Sequence, residues 1–345
     1  EFLKHKNISF KLIFHEILFK LTKQLDFLIN EYYKAKGIIN RIKPSCVIFQ
    51  SATPFYSPNI TFRKVCIDYK IPIAVWMHGG YGLTHSLSGY DVGDFRFFKN
   101  HITYGPYLDK VIKDEKCVLK KLNFHENYKL FAVGSLRFDY DNRNRILNNN
   151  LKVTKKHTIV FVSGSQRVRN HFYFGYNREK NESSLWYFHY EILKLLKKYQ
   201  NKYNIIFKDY PNRFSHLWKR VLKDINATQI LFDSNQKTLN NYLRISDLNI
   251  FPQISTAFFE ALYFDADIFA LEEDLFSKHF SQKLNGEMFC FNSEDKFKQE
   301  LEKYLEMGKF YKCKNKNSKN HLINLDALGH RDKLINEALS QFSYK

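Results

Sequence analysis

Leu248-Asn249-Ile250-Phe251-Pro252 leads into Ser255-Thr256-Ala257-Phe258-Phe259-Glu260-Ala261-Leu262, and Asp267-Ile268-Phe269-Ala270-Leu271 follows. Two short apolar runs bracket a segment opened by hydroxyl residues, so the stretch reads as strand, turn, short helix, strand. The first N–H groups of a helix have no partner within it, and together with nearby hydroxyls they suit a phosphate. Glu260 stands one turn further along, where a carboxylate can accept hydrogen bonds from a ribose diol. Phosphate and ribose together indicate a nucleotide.

The same rhythm extends outward in both directions. Cys46–Gln50, Ile73–Met77, His101–Gly105 and Tyr128–Val133 read as short buried strands, with helices expected over 59–69 and 107–115. A polar, Asn-rich stretch at 141–156 reads as a linker between residues 1–140 and 157–323. Beyond it, strands are expected at His157–Val162, Asn204–Lys208 and Gln229–Phe232, with helices over 184–200, 214–224, 237–245 and 294–306. Residues 324–342 read as a closing helix. Strands alternating with helices at this spacing predict an α/β fold of two doubly wound parallel sheets facing a cleft.

A chain of 345 residues accommodates two domains. No apolar run approaches the ~20 residues that span a bilayer. The chain opens Glu1-Phe2-Leu3-Lys4 with neither an initiator Met nor a signal peptide, as expected of a fragment of a longer, cytoplasmic protein. The five cysteines, Cys46, Cys66, Cys117, Cys290 and Cys313, are scattered and lack CxxC spacing, which suits a reducing compartment and argues against a thiolate metal site. The net charge of +19 admits nucleic acid, an anionic membrane surface or an anionic substrate; a plain bias toward Lys, Asn, Ile, Phe and Tyr accounts for much of it. With no RNP, KH or zinc-finger pattern, nucleic acid is the weakest reading. Phe10, Leu12, Ile13, Ile17, Leu18, Leu21, Leu25, Leu28 and Ile29 recur at helical spacing over 10–43, favouring an amphipathic helix packed on a domain over one lying on a membrane.

Further candidates sit where ligands bind open α/β sheets, at the carboxyl ends of strands. His78 directly follows a strand and precedes Gly79, Gly80 and Tyr81. An imidazole there can act as general base on an acceptor hydroxyl, and the glycines allow close approach to the backbone. Ser163, Gly164, Ser165 and Arg167 follow the first strand of the second half, a place where backbone N–H groups and a guanidinium meet phosphates. The competing reading is a plain β–α turn. Lys208 ends the next strand, as a phosphate contact or a surface lysine. Asp139-Tyr140-Asp141 looks like a DxD metal motif, but it opens a polar stretch instead of following a nucleotide-domain strand. No metal or cofactor is therefore expected. P-loop, nucleophile-elbow, zinc-protease and dinucleotide fingerprints are missing from the sequence.

The segment Trp76 to Gly82 resembles the His-Gly-Gly-Gly-Tyr-Gly signature of sugar transferases from bacterial surface-carbohydrate clusters, with one Gly fewer. Asp94, Ile102-Thr103-Tyr104-Gly105 and Val133-Gly134-Ser135-Leu136-Arg137-Phe138-Asp139 are similar to segments of the same enzymes, with Leu136 in place of a Pro. CDP-glycerol glycerophosphotransferases and Kdo-type transferases share related features. The resemblance covers roughly residues 45–275 and implies the GT-B fold. It implies a metal-independent glycosyltransferase that uses a nucleotide-activated donor and a glycan or lipid-linked acceptor, such as lipopolysaccharide or capsule, at the inner face of the membrane. His78 and Asp94 would be catalytic; Ser255, Thr256, Glu260 and Lys208 would hold the donor. Two alternatives stay open, a CDP-polyol transferase and a non-catalytic binding subunit.

Overall fold

The protein is described by a computed structural model that covers residues 2–50, 57–77, 98–106, 128–135, 156–163, 182–209, 215–234, 236–271, 289–310, 323–324 and 327–342. Helix α1 (Phe2–Ile42) leads into β1 (Val47–Gln50), α2 (Ser57–Asp68), β2 (Ile73–Trp76), β3 (Asn100–Thr103) and β4 (Lys129–Ala132). The four strands pair in parallel in the order β1-β2-β3-β4.

The second unit begins with β5 (Thr158–Val162), α3 (Glu182–Lys198), β6 (Asn204–Lys208), α4 (Ser215–Asp224), β7 (Leu231–Asp233) and α5 (Leu239–Leu243). It continues with β8 (Leu248–Phe251), α6 (Thr256–Ala261), β9 (Asp267–Leu271), β10 (Phe289–Phe291) and α7 (Glu294–Met307). Its six strands are all parallel, in the order β10-β9-β8-β5-β6-β7. Chain direction across the sheet therefore reverses between β5 and β8. Every residue of β5 and β9 is buried, as parallel strands covered on both faces require. Alternate side chains feed two cores. Ile159, Phe161, Phe207 and Ile250 join α3, α4 and α7 through Ile192, Trp218 and Phe297. Val160, Val162, Phe251 and Ile268 face α5 and α6 through Leu243, Phe258 and Phe259.

Three features depart from the expectations. Strand β10 has no counterpart in the sequence reading; three residues are too few to show a period. The closing helix, α8 (Arg331–Ser340), starts later than residue 324, because Gly329 is left-handed at φ +83° and breaks the run. Third, among its described side chains α1 packs on its own unit only near its end. Ala35 and Ile39 are buried against Val65 and Cys66 of α2, whereas residues 14–27 are exposed all round.

The last helix reaches back to the first sheet. Ala338 of α8 and Phe342 just beyond it pack with Ala74, Ile102 and Val133. Arg331, fully buried, donates from Nε to the Val133 carbonyl at 3.1 Å and from Nη2 to the Tyr263 hydroxyl at 3.3 Å. Tyr263 in turn donates to the Ile323 carbonyl at 2.9 Å. One guanidinium thus ties the end of β4 to the segment after α6. Gly134 makes this possible: its φ is +82°, and a Cβ there would lie 2.9 Å from Arg331 Nε.

Gly134→Ala combines left-handed strain with that clash and should lower stability by about 2 kcal/mol. Gly37 has nothing within 4 Å of a built Cβ and lies in the exposed interior of α1. Gly37→Ala should hold or raise stability by up to ~1 kcal/mol. Thermal denaturation of both variants beside the parent checks the opposite signs.

Candidate functional site

The order reversal between β5 and β8 marks the switch point at the carboxyl edge of the second sheet, where open α/β sheets bind ligands in a crevice. The segment after β8 occupies one side of it. Pro252, Gln253 and Ile254 are buried, then Ser255, Thr256 and Ala257 become half-exposed, and everything from Phe258 to Leu262 is buried again. The accessible part of α6 is thus its first turn. Ser255 is extended at φ −145° and ψ −176°, and its hydroxyl makes no capping bond to its own helix. Glu260 is buried one turn further on. The structure therefore brings Ser255, Thr256 and Glu260 together on one short helix beside the end of β5.

The other side of the crevice is a set of interlocked strand ends. Ser163, immediately after β5, donates its hydroxyl to Asp209 Oδ1 at 2.7 Å, and Ser215 at the head of α4 donates to Oδ2 at 2.7 Å. The Asp209 amide is bonded to the Asp233 carbonyl at 2.8 Å. Asp233 ends β7 and accepts from the Tyr242 hydroxyl, from the Gln236 amide at 2.8 Å and from the Lys237 amide at 3.0 Å. Lys208 Nζ lies 3.5 Å from Asp233 Oδ1, with both side chains buried. Burial pushes the Asp233 carboxyl up. The Tyr242 hydroxyl, the Gln236 amide, the Lys208 charge and the Lys237 amide more than offset this and hold it below the usual carboxylate range. The same contact, with burial foremost, drives the Tyr242 phenol up.

Ser163 and Lys208 thus stand at the expected edge, each with one contact to a strand-end carboxylate, Asp209 and Asp233 respectively. A buried ammonium needs a counter-charge, so a lysine at the buried end of a strand finds the nearest strand-end carboxylate. Asp209, Asp233, Ser215 and Tyr242 are members of this cluster that no sequence motif marks. The available signal was their position, since a carboxylate closing a strand in a parallel sheet lies at the ligand edge. Gly164, Ser165, Arg167, His78, Gly79, Gly80, Tyr81 and Asp94 lie outside the described residues, as does Asp139-Tyr140-Asp141. Met77, which precedes His78, is buried in the cluster that holds Ile254, Phe258 and Tyr242, so the carboxyl end of β2 abuts the α5–α6 side of the crevice. Among the described residues no group of three His, Cys, Asp or Glu is placed to hold a metal ion.

No family model and no curated protein matches the chain. Its structure matches many solved ones. A glycosyltransferase from Rickettsia africae is 12% identical with a TM-score of 0.53, over 92% of this chain and 82% of that one. UDP-N-acetylglucosamine 2-epimerase from Rickettsia bellii is 12% identical with a TM-score of 0.56, over 91% and 78%. UDP-GlcNAc 2-epimerase from Neisseria meningitidis, solved with UDP-GlcNAc bound, is 12% identical with a TM-score of 0.55, over 92% and 81%. At these identities the likeness is one of fold: two parallel-sheet α/β units of the GT-B type.

Asp233→Asn should remove a stabilising, pH-dependent interaction. The folded carboxyl titrates below its ordinary value of 3.8, so its stabilisation is present above that pH and is lost as pH falls through the lower folded value. The variant should be less stable than the parent at pH 7, and the gap should narrow as pH falls below 3.8. Midpoints measured across that range check this; a gap that does not narrow in acid would mean that Asp233 acts through its hydrogen-bond geometry and not its charge.

Proposed function

We propose that the protein is a glycosyltransferase that takes its sugar from a nucleotide-activated donor bound at the carboxyl edge of the second sheet. The observation that carries this reading is the half-buried first turn of α6, with the Ser255 and Thr256 hydroxyls, backed one turn later by the buried Glu260 carboxylate. In this reading the donor phosphates meet that turn, where amides and helix dipole favour negative charge. Glu260 accepts from the ribose hydroxyls. Lys208, clamped by Asp233, places a positive charge behind the phosphates without touching them.

The acceptor hydroxyl then attacks the anomeric carbon, the bond from that carbon to the phosphate oxygen breaks, and the nucleotide leaves with the electron pair. His78 takes the acceptor proton, with Asp94 supporting it, and the α6 turn stabilises the departing phosphate. No metal is required for that step. Gly164, Ser165 and Arg167 complete the phosphate side, and Gly79, Gly80 and Tyr81 the acceptor side. The acceptor we favour is a lipopolysaccharide, capsule or other lipid-linked glycan at the inner face of the membrane, toward which a net charge of +19 would draw the protein. A sugar-nucleotide epimerase is the second reading, motivated by the two epimerase structures of the same fold.

Thermal shift against CMP, CDP, UDP, GDP, ADP and dTDP tests the donor site. A nucleotide at about 100 times its dissociation constant should stabilise the parent by about 2.7 kcal/mol. Ser255→Ala and Glu260→Ala should lose most of that gain. No shift with any nucleotide would overturn the site. Incubating the matching nucleotide sugar with the protein alone separates the two readings, since an epimerase converts it without an acceptor.

A further inference from the structure

Phe14, Leu18, Leu21, Leu25, Leu28, Tyr32, Ala35 and Ile39 of α1 follow one another at alternating steps of four and three. That is a heptad seam, the pattern of a helix that packs along its length on another helix. The final part of the seam is occupied: Ala35 and Ile39 are buried on α2, and Tyr32 donates to Asp68 at 2.8 Å. The earlier part faces solvent. Phe14 is 53% exposed, Leu18 49%, Leu21 56% and Leu25 56%, and Ile17 and Ile29 widen the stripe at 51% and 44%.

The charges on this segment select the occupant. Glu16, Lys20, Lys23 and Asp26 lie away from the seam and cancel. Lys20 is paired with Glu16 at 2.8 Å, and the Lys23 ammonium sits 4.4 Å from the centre of the Phe19 ring. A helix made for an anionic lipid surface carries a lysine-rich polar face, which residues 14–31 do not. The positions flanking the seam, His15, Ile17, Thr22, Gln24 and Ile29, include no Asp, Glu, Lys or Arg, so two copies meet without charge repulsion. Six half-exposed side chains of this size offer roughly 500 Å2 per copy, and a pair reaches the ~1,000 Å2 of a specific interface.

We propose that residues 14–29 of α1 pair with the same segment of a second copy as a two-helix coiled coil, making the protein a homodimer. The seam that α2 closes within one chain is continued by the partner's helix between chains. Sedimentation equilibrium on the full chain tests this. The parent should show twice the 41.3 kDa chain mass at micromolar concentrations and fall toward the single-chain mass on dilution. The double variant Leu21→Lys/Leu25→Lys should stay at the single-chain mass with an unchanged near-ultraviolet circular dichroism spectrum. Lys20→Ala, on the far face, should remain dimeric. A parent of single-chain mass throughout would overturn the proposal. So would a dimer that survives the double lysine variant. If the single-chain parent instead pellets with phosphatidylglycerol vesicles and the double variant does not, the seam belongs to lipid.

Discussion

A parallel strand cannot pair with its successor through a tight turn, so each connection must cross back over the sheet. All six strands of the second sheet consequently end at one edge. Their order reverses between β5 and β8, the place where such sheets bind ligands. The first turn of α6, the Lys208–Asp233 pair and the Asp209 cluster all stand at that edge because pairing leaves them nowhere else to be. The candidate site follows from topology before any single side chain is considered.

The edge has a second property. Strands buried on both faces deliver their final polar groups into a region with little water, and each group must then find a partner. Asp209 and Asp233 each gather several donors, and the hydroxyls and amides they engage come from four different segments. These bonds fix the relative positions of the ends of β5, β6 and β7 and the starts of α4 and α5. The bonded strand ends and the more accessible first turn of α6 thus lie at the same edge of the sheet.

The parallel fold was legible because fully buried strands are continuous apolar runs, and Thr158–Val162 and Asp267–Leu271 can hardly be read otherwise. The short helix α6 was legible because a hydroxyl pair between two apolar runs marks a helix start. What stayed hidden depends on contacts distant in sequence. Ser163 and Lys208 read as open ligand contacts, since nothing local reveals that Asp209 and Asp233 claim them. The solvent exposure of α1 was hidden for the same reason: an apolar stripe reports that something covers it, not whether the cover belongs to the same chain. Strand β10, with three residues, carries too little pattern to register.

The return of α8 to the first sheet has a consequence for the order of events during synthesis. Ala74, Ile102 and Val133 emerge well before Ala338 and Phe342, which cover them. About 200 residues separate the end of β4 from Arg331, so the ribosome needs on the order of ten seconds or more to supply the cover. Through that interval the nascent first unit presents an apolar sheet face to its surroundings. The second unit, complete before α8 appears, becomes the platform on which the first is finally closed.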